Sequence, residues 1–101
     1  MNKLYEHVDR MSNLMAKRRK LIEDMEVLLN EMDLQQKDFE TLNEYFGSEQ
    51  RMKDIEEDEK GNIPTSLNRG ALSEDELYDI ICDNRDLMIH MMEIALKGLK
   101  S

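Results

Sequence analysis

Tryptophan is absent from the sequence, Pro64 is its single proline, and aromatic residues make up only 5% of the 101 positions. Strands favour aromatic and β-branched side chains, so their scarcity disfavours a sheet. The abundant residues are Leu, Met, Ile, Glu, Lys and Asp, and long unbranched side chains favour helix. The composition therefore predicts an all-α fold.

Cys82 is the single cysteine, so no internal disulfide can form and nothing suggests an oxidising compartment. No apolar run is long enough to span a bilayer, and the segment from Met1 to His7 lacks the apolar core of a signal peptide. The formal net charge of −9 disfavours binding to nucleic acid or to an anionic membrane, because both require a basic surface. We expect a soluble, acidic, cytoplasmic protein without a membrane partner.

Apolar residues between Leu4 and Phe46 follow a heptad pattern in a stretch without glycine or proline. Spacings of four and three residues alternate for about six repeats, which indicates one face of a long, coiled-coil-like helix. A second row of leucines widens the face, and the wider face suits a helical bundle. This row comprises Leu14, Leu21, Leu28 and Leu42. The pattern predicts a helix over about residues 4–46, roughly 60 Å long if it is continuous. Its seam comprises Leu4, Val8, Met11, Met15, Arg18, Ile22, Met25, Leu29, Met32, Gln36, Phe39, Asn43 and Phe46.

Turn-forming residues occupy the segment 47–73, which we predict to be a linker with short helices. Gly47 is expected to end the first helix in the left-handed conformation, and Ser48 to cap a short helix that ends near Glu59. Gly61 and Pro64 mark a loop.

Ser73 and Glu76 have the spacing of a capping box, in which the hydroxyl accepts an N–H three residues on and the carboxylate reaches back. The box predicts the start of a second long helix over about residues 74–98. Its apolar stripe continues the four–three spacing through Leu77, Ile81 and Met88. Two such helices predict a single helical domain over residues 1–101, arranged as a long antiparallel hairpin.

The second predicted helix is about two-thirds as long as the first, so part of the first apolar stripe would stay uncovered in a hairpin. A large exposed apolar stripe is uncommon on a soluble monomer. We therefore predict a homodimer in which a second copy completes the bundle.

The segment around the linker combines aromatic, glycine and acidic residues in a recurring pattern. It consists of Tyr45-Phe46-Gly47-Ser48, Asp54, Gly61, Pro64, Gly70-Ala71-Leu72-Ser73-Glu74-Asp75 and Tyr78. This pattern resembles domain-of-unknown-function family 4298, a family of short bacterial proteins, and the resemblance covers most of the chain. Phe46 stands where the family often has a second tyrosine, and Ala71 where valine is common. The resemblance implies an uncharacterised helical protein and supplies no catalytic residues.

Carboxylates are plentiful, yet no known metal-binding motif fits them. If Gly61 takes the turn position of a calcium loop, Lys60 falls on a ligand position and Leu67 falls where glutamate is needed. The Glu-x-x-His motif of di-iron bundles is absent, because Leu87 stands three residues before His90. The lone cysteine has no basic neighbour to activate it. We predict no catalytic residue, no metal and no cofactor, and therefore a protein that is not an enzyme.

Two groups of residues form a candidate partner surface: Tyr45, Phe46 and Tyr78 near the linker, and Arg18 and Arg19 in the first helix. The aromatic residues could instead pack the linker against the end of the hairpin. The arginines belong to four consecutive basic residues, and these could equally form a solvated belt, since helical geometry spreads them around the circumference.

Three functions remain open from the sequence. An interaction scaffold or regulator, binding another protein whose identity the sequence does not give, is the leading hypothesis, because the first helix has more apolar surface than the second can cover. A nucleic-acid-associated regulator acting through the basic belt Lys17–Lys20 is the alternative, although the net charge disfavours it. A metal- or ligand-binding bundle rests only on the abundance of Glu and Met.

Overall fold

The structure is a computed structural model that describes residues 3–100. Its elements are a 3-10 turn at Lys3–Tyr5, α1 at Glu6–Phe46, α2 at Glu49–Glu59, a 3-10 turn at Gly70–Leu72, and α3 at Glu76–Lys100. The described range contains no strand. The predicted all-α fold class is confirmed.

Helix α1 is continuous over 41 residues, including the polar seam positions Arg18 and Asn43. Glu6 and Asp9 lie in its first turn, where negative charge stabilises the positive end of the helix dipole. None of its residues is buried. The heptad pattern therefore predicts the path of the backbone correctly, while leaving open what covers the apolar face.

Only Gly47 and Ser48 separate α1 from α2. The amide and hydroxyl of Ser48 both donate to the Tyr45 carbonyl, at 3.1 and 2.7 Å. The same hydroxyl oxygen accepts from the Arg51 amide at 3.1 Å, so Ser48 is the N-cap of α2, as the sequence predicts. The left-handed conformation predicted at Gly47 is wrong, because Gly47 does not have a positive φ. Ser48 bonds the end of α1 directly and makes a left-handed cap unnecessary.

The left-handed cap is found at Gly61, after α2, with φ 74°. The Gly61 amide donates to the Asp58 carbonyl, and the Asn62 amide donates to the Glu57 carbonyl, each at 3.0 Å. These two bonds constitute a Schellman motif, which satisfies the last carbonyls of the helix. The Asn62 side chain adds a 2.7 Å hydrogen bond to the Glu57 carboxylate.

Helix α3 begins at Glu76, two residues later than the predicted start near residue 74. The Ser73 hydroxyl accepts from the Glu76 amide at 3.4 Å, so one half of the predicted capping box is present. The Ser73 amide instead donates to the Gly70 carbonyl and closes the 3-10 turn. Because this donor is already satisfied, the reaching-back half of the box is not needed.

The chain divides into two compact units, of which the first ends at Phe39 and the second begins at Glu40. Leu77, in the first turn of α3, belongs to the second unit and is 3% exposed. Among residues 3–100 it is the one hydrophobic residue that is buried. Leu67, in the connection before α3, is exposed. The single domain over residues 1–101 and the homodimer stay predictions.

Candidate partner-binding surface

The second unit brings three of the five candidate residues together. Phe46 is the last residue of α1 and Tyr78 lies in the first turn of α3, and their ring centroids are 6.2 Å apart at an interplanar angle of 36°. The Arg51 guanidinium of α2 lies 5.3 Å from the Phe46 ring centroid. Aromatic and cation–π contacts of this kind contribute about 0.5–1 kcal/mol each where they are partly solvated. We call Tyr45, Phe46, Arg51 and Tyr78 the aromatic corner.

Arg51 links α2 to the segment that precedes α3. Its Nε donates to the Ala71 carbonyl at 3.1 Å, and its Nη2 donates to the Ser73 carbonyl at 3.2 Å. Both acceptors are backbone carbonyls: Ala71 lies within the 3-10 turn, and Ser73 directly follows it. One side chain thus fixes a connection of more than ten residues between two helices, and its planar fork suits two parallel acceptors.

Tyr45 is half-buried and its hydroxyl bonds to α2. Its hydroxyl donates to one carboxylate oxygen of Asp54 at 2.6 Å, and the Gln50 amide donates to the other oxygen at 2.8 Å. Partial burial, together with the Asp54 hydrogen bond, raises the pKa of Tyr45 to about 12. The hydrogen bonds from Tyr45 and Gln50 lower the pKa of Asp54. At neutral pH the pair is therefore a phenol donating to a carboxylate.

Tyr78 is the most exposed member of the aromatic corner, with 55% of its surface accessible. A hydrogen bond with the Cys82 sulfur one turn later raises the pKa of Tyr78. Cys82 itself is half-buried. The phenol of Tyr78 is thus the part of the corner that another protein can reach most easily.

An ion pair between Arg69 and Asp58 is a second contact that attaches this connection to α2. Arg69 Nη1 lies 2.6 Å from Asp58 Oδ1, and the two side chains are 40% and 27% exposed. A partly screened pair of this kind contributes at most about 1 kcal/mol. Together with Arg51 it holds the segment before α3 against α2.

A shallow cleft of about 320 Å³ lies beside this connection in the second unit. Its volume is at the lower end of the range for small-molecule sites. Glu76 is its single charged residue, so the cleft does not bring several titratable groups together. The lining residues are Leu42, Asn68, Gly70, Ala71, Glu76, Leu77 and Ile80.

Arg18 and Arg19, the other two candidate residues, lie in the first unit. They border a shallow depression on α1 together with Met15, Ile22 and Glu23. Both arginines are exposed. Their neighbour Lys20 forms an exposed ion pair with Asp24 at 3.3 Å. The basic belt is therefore accessible, and it adjoins the apolar face of α1.

Within residues 3–100, no group of three or more His, Cys, Asp or Glu side chains is arranged to hold a metal ion. In the same range, no helix is sufficiently long and apolar to cross a membrane.

Sequence reasoning missed Arg51, the central residue of the aromatic corner. Its acceptors are backbone carbonyls at Ala71 and Ser73, and carbonyl acceptors leave no trace in the sequence. The Arg51 position three residues after the Ser48 cap is the only local signal that could have drawn attention to it.

The fold and the corner define the class of the protein: an all-α chain built on one long helix, with a short capped helix and a hydrogen-bonded connection before the last helix. The chain belongs to the family described as Domain of unknown function (DUF4298), whose model matches residues 8–94. The family resemblance seen in the sequence is confirmed. Comparison with curated proteins gave no match, and comparison with solved structures gave none either.

Proposed function

We propose that the protein is a non-catalytic interaction scaffold or regulator that works by burying the apolar face of α1 in a protein assembly, first of all with a second copy of itself. The observation that supports the proposal is the exposure of that face. We define the apolar stripe as the nine residues Val8, Met11, Leu14, Met15, Leu21, Ile22, Met25, Leu28 and Leu29, which are between 39% and 57% exposed.

This degree of exposure means that the stripe is covered by little more than its own helix. Further burial of a half-exposed aliphatic side chain contributes roughly 1 kcal/mol at 25 cal/mol per Å². Two stripes facing each other would then gain on the order of 15–20 kcal/mol. Association costs about 4–15 kcal/mol in lost freedom of motion and ordering, so the balance favours a dimer.

An isolated helix as long as the first unit also needs packing to be stable in water. Most helical stability in proteins comes from the burial of an amphipathic face, because propensity alone gives only marginal helices. A second copy provides such a surface without requiring any other component. This argument favours an assembly in which α1 is permanently covered.

The proposal of a non-catalytic role is supported by the protonation states of Tyr45 and Asp54 in the aromatic corner. General acid–base chemistry needs a group that titrates near the working pH. Burial and the Asp54 hydrogen bond move the pKa of Tyr45 to about 12, and the pKa of Asp54 is lowered. Both groups therefore act as fixed structural partners at neutral pH. We further expect a cytoplasmic location, where the lone Cys82 would remain a thiol.

A pair of double variants tests the proposal. Leu21→Gln with Leu28→Gln places two amides in the middle of the apolar stripe. Val27→Gln with Leu34→Gln makes the same chemical change at two positions outside the stripe, which are 58% and 82% exposed. Sedimentation equilibrium at micromolar concentration is expected to give twice the chain mass for the wild type and the control, and the single-chain mass for the stripe variant.

Thermal unfolding followed by circular dichroism completes this test. The stripe variant is expected to lose cooperative melting of α1, because its helix no longer has a partner surface. A wild-type chain that sediments as a monomer while keeping its full helix content would contradict the proposal.

A further inference from the structure

We infer that the two copies associate through α1 in antiparallel orientation, with the basic half of each helix against the acidic half of the other. This inference rests on the proposed function and specifies the geometry of the assembly. It comes from the distribution of charge along α1. Residues 10–20 contain five basic side chains and no acidic one, whereas residues 21–33 contain five acidic side chains and no basic one.

The two charged halves lie within one continuous helix, on either side of the boundary between Lys20 and Leu21. All of these charged side chains are exposed. A parallel dimer in register would place the basic halves together and the acidic halves together along the whole contact. An antiparallel dimer places opposite charges together at both ends. The apolar stripe supplies the affinity in either case, so the charges select the orientation.

The heptad pattern limits the antiparallel pairing to a few registers, because seam positions of one helix must meet seam positions of the other. One register places Ile22 opposite Met25 of the second copy and Met15 opposite Met32. In this register Arg19, beside the seam, meets Glu26 of the second copy. Two-fold symmetry repeats each of these pairs, so the dimer contains two Arg19–Glu26 contacts.

The neighbouring registers are disfavoured by the same two residues. A shift of one heptad in one direction brings Arg19 of one chain opposite Arg19 of the other. A shift in the opposite direction brings Glu26 opposite Glu26, although it also places Arg19 of each chain opposite Asp33 of the other. Like charges at these flanking positions are repulsive, and charged residues beside a coiled-coil seam set both partner choice and orientation. Of these three registers, the Arg19–Glu26 register is the one that has no like-charge pair at the flanking positions, and it is therefore the one that we infer.

Charge reversal tests the pairing. Arg19→Glu and Glu26→Arg alone are each expected to weaken dimerisation about tenfold, because each variant replaces two attractive contacts with two repulsive ones. The double variant R19E/E26R is expected to recover the wild-type dissociation constant. An equimolar mixture of the two single variants is expected to form a heterodimer, since both of its contacts are again attractive. Lys17→Glu, with the same change in net charge outside the seam, is the matched control and should leave the dimer unchanged.

Pulsed electron spin resonance measures the orientation directly. Ser12→Cys in a Cys82→Ser background carries one spin label per chain. In the proposed register the two labels lie about 35 Å apart along the axis, because 23 residues at 1.5 Å each separate their levels. A parallel dimer would bring them to roughly the interaxial distance of about 10 Å plus the label arms.

The outcomes separate this inference from the proposed function. A long label distance together with recovery in R19E/E26R supports the antiparallel dimer. A dimer with a short label distance, or one in which the charge exchange gives no recovery, overturns the inference and leaves the proposed function standing. A chain without any intermolecular label distance at micromolar concentration overturns both.

Discussion

The hydroxyl of Tyr45 donates a 2.6 Å hydrogen bond to the Asp54 carboxylate and so joins the last turn of α1 to the middle of α2. The bond spans the two-residue connection at Gly47 and Ser48 and limits how α2 can leave α1. A hydrogen bond to a charged acceptor is stronger than one between neutral groups. This bond therefore contributes directly to the stability of the junction between α1 and α2.

Replacing Tyr45 by phenylalanine removes this bond and keeps the ring. We expect Tyr45→Phe to lower the free energy of unfolding by about 1–2 kcal/mol, since the change also leaves one Asp54 oxygen with a lost donor. Urea unfolding at neutral pH measures the loss. Tyr5→Phe, an equivalent change at an exposed tyrosine, is the control and should have no effect. Equal stabilities of Tyr45→Phe and the wild type would show that solvent replaces the bond.

The same contact predicts a dependence of stability on pH. The pKa of Asp54 is lowered from its ordinary value of 3.8, so its contribution is present above that pH and is lost as the pH falls through the lower folded value. The pKa of Tyr45 is raised from 10.0 to about 12, so its contribution is present below pH 10.0 and is lost as the pH rises toward about 12. The stability difference between wild type and Tyr45→Phe should be constant between these limits and shrink outside them. A constant difference across the whole range would be evidence against the contact.

Arg51→Lys tests the link between α2 and the segment before α3. Lysine keeps the charge but cannot offer the two donors that reach the Ala71 and Ser73 carbonyls, and it stacks less well on Phe46. We expect a loss of about 1–2 kcal/mol in unfolding free energy, measured by urea denaturation. Arg85→Lys, on an exposed position of α3, is the matched control. A loss of the same size in both variants would assign the effect to arginine content in general.

Two glycines should respond differently to alanine. Gly61 has φ 74°, which alanine resists, so Gly61→Ala should destabilise the protein by about 1–2 kcal/mol. Gly47 has no positive φ, and a Cβ atom there would meet nothing within 4 Å, so Gly47→Ala should leave stability unchanged or slightly raised. Thermal unfolding of the two variants side by side makes the comparison, and the reverse order would contradict the assignment of the left-handed cap.

Ser48→Ala should lower the unfolding free energy by about 1 kcal/mol, because it removes the N-cap acceptor of α2 and the hydroxyl bond to the end of α1. Ser73→Ala removes a longer bond of 3.4 Å at the start of α3 and should cost less. Differential scanning calorimetry ranks the two. A larger effect at Ser73 than at Ser48 would contradict this ranking.

The features predicted correctly from the sequence are those with a local signature. The heptad spacing predicted α1 because the apolar positions of a helix repeat every three to four residues. Ser48 predicted the start of α2 because an N-cap residue directly precedes its helix. The candidate residues Phe46 and Tyr78 could be chosen because both belong to the motif that carries the family resemblance. Their contact at 6.2 Å depends on how two distant segments meet.

The features missed are those decided by competition between partners. Gly47 stands where a left-handed cap is expected, after the last residue of α1. The Ser48 amide and hydroxyl both donate to the Tyr45 carbonyl instead, so the end of α1 is satisfied without that cap. Arg51 finds its acceptors 20 and 22 residues away, on backbone carbonyls. Neither outcome can be derived from residue types, because each depends on the three-dimensional path of the chain.

The bonds from Arg51 have a consequence for the integrity of the chain. Arg51 and Asp58 lie before the exposed stretch at residues 64–68, while their partners Ala71, Ser73 and Arg69 lie after it. A protease that cuts the peptide backbone within this stretch would leave three side-chain bonds between the fragments, worth about 1 kcal/mol each. Association of separate chains costs about 4–15 kcal/mol, so the intact backbone is what makes these bonds effective, and the nicked protein should lose the ordered connection before α3.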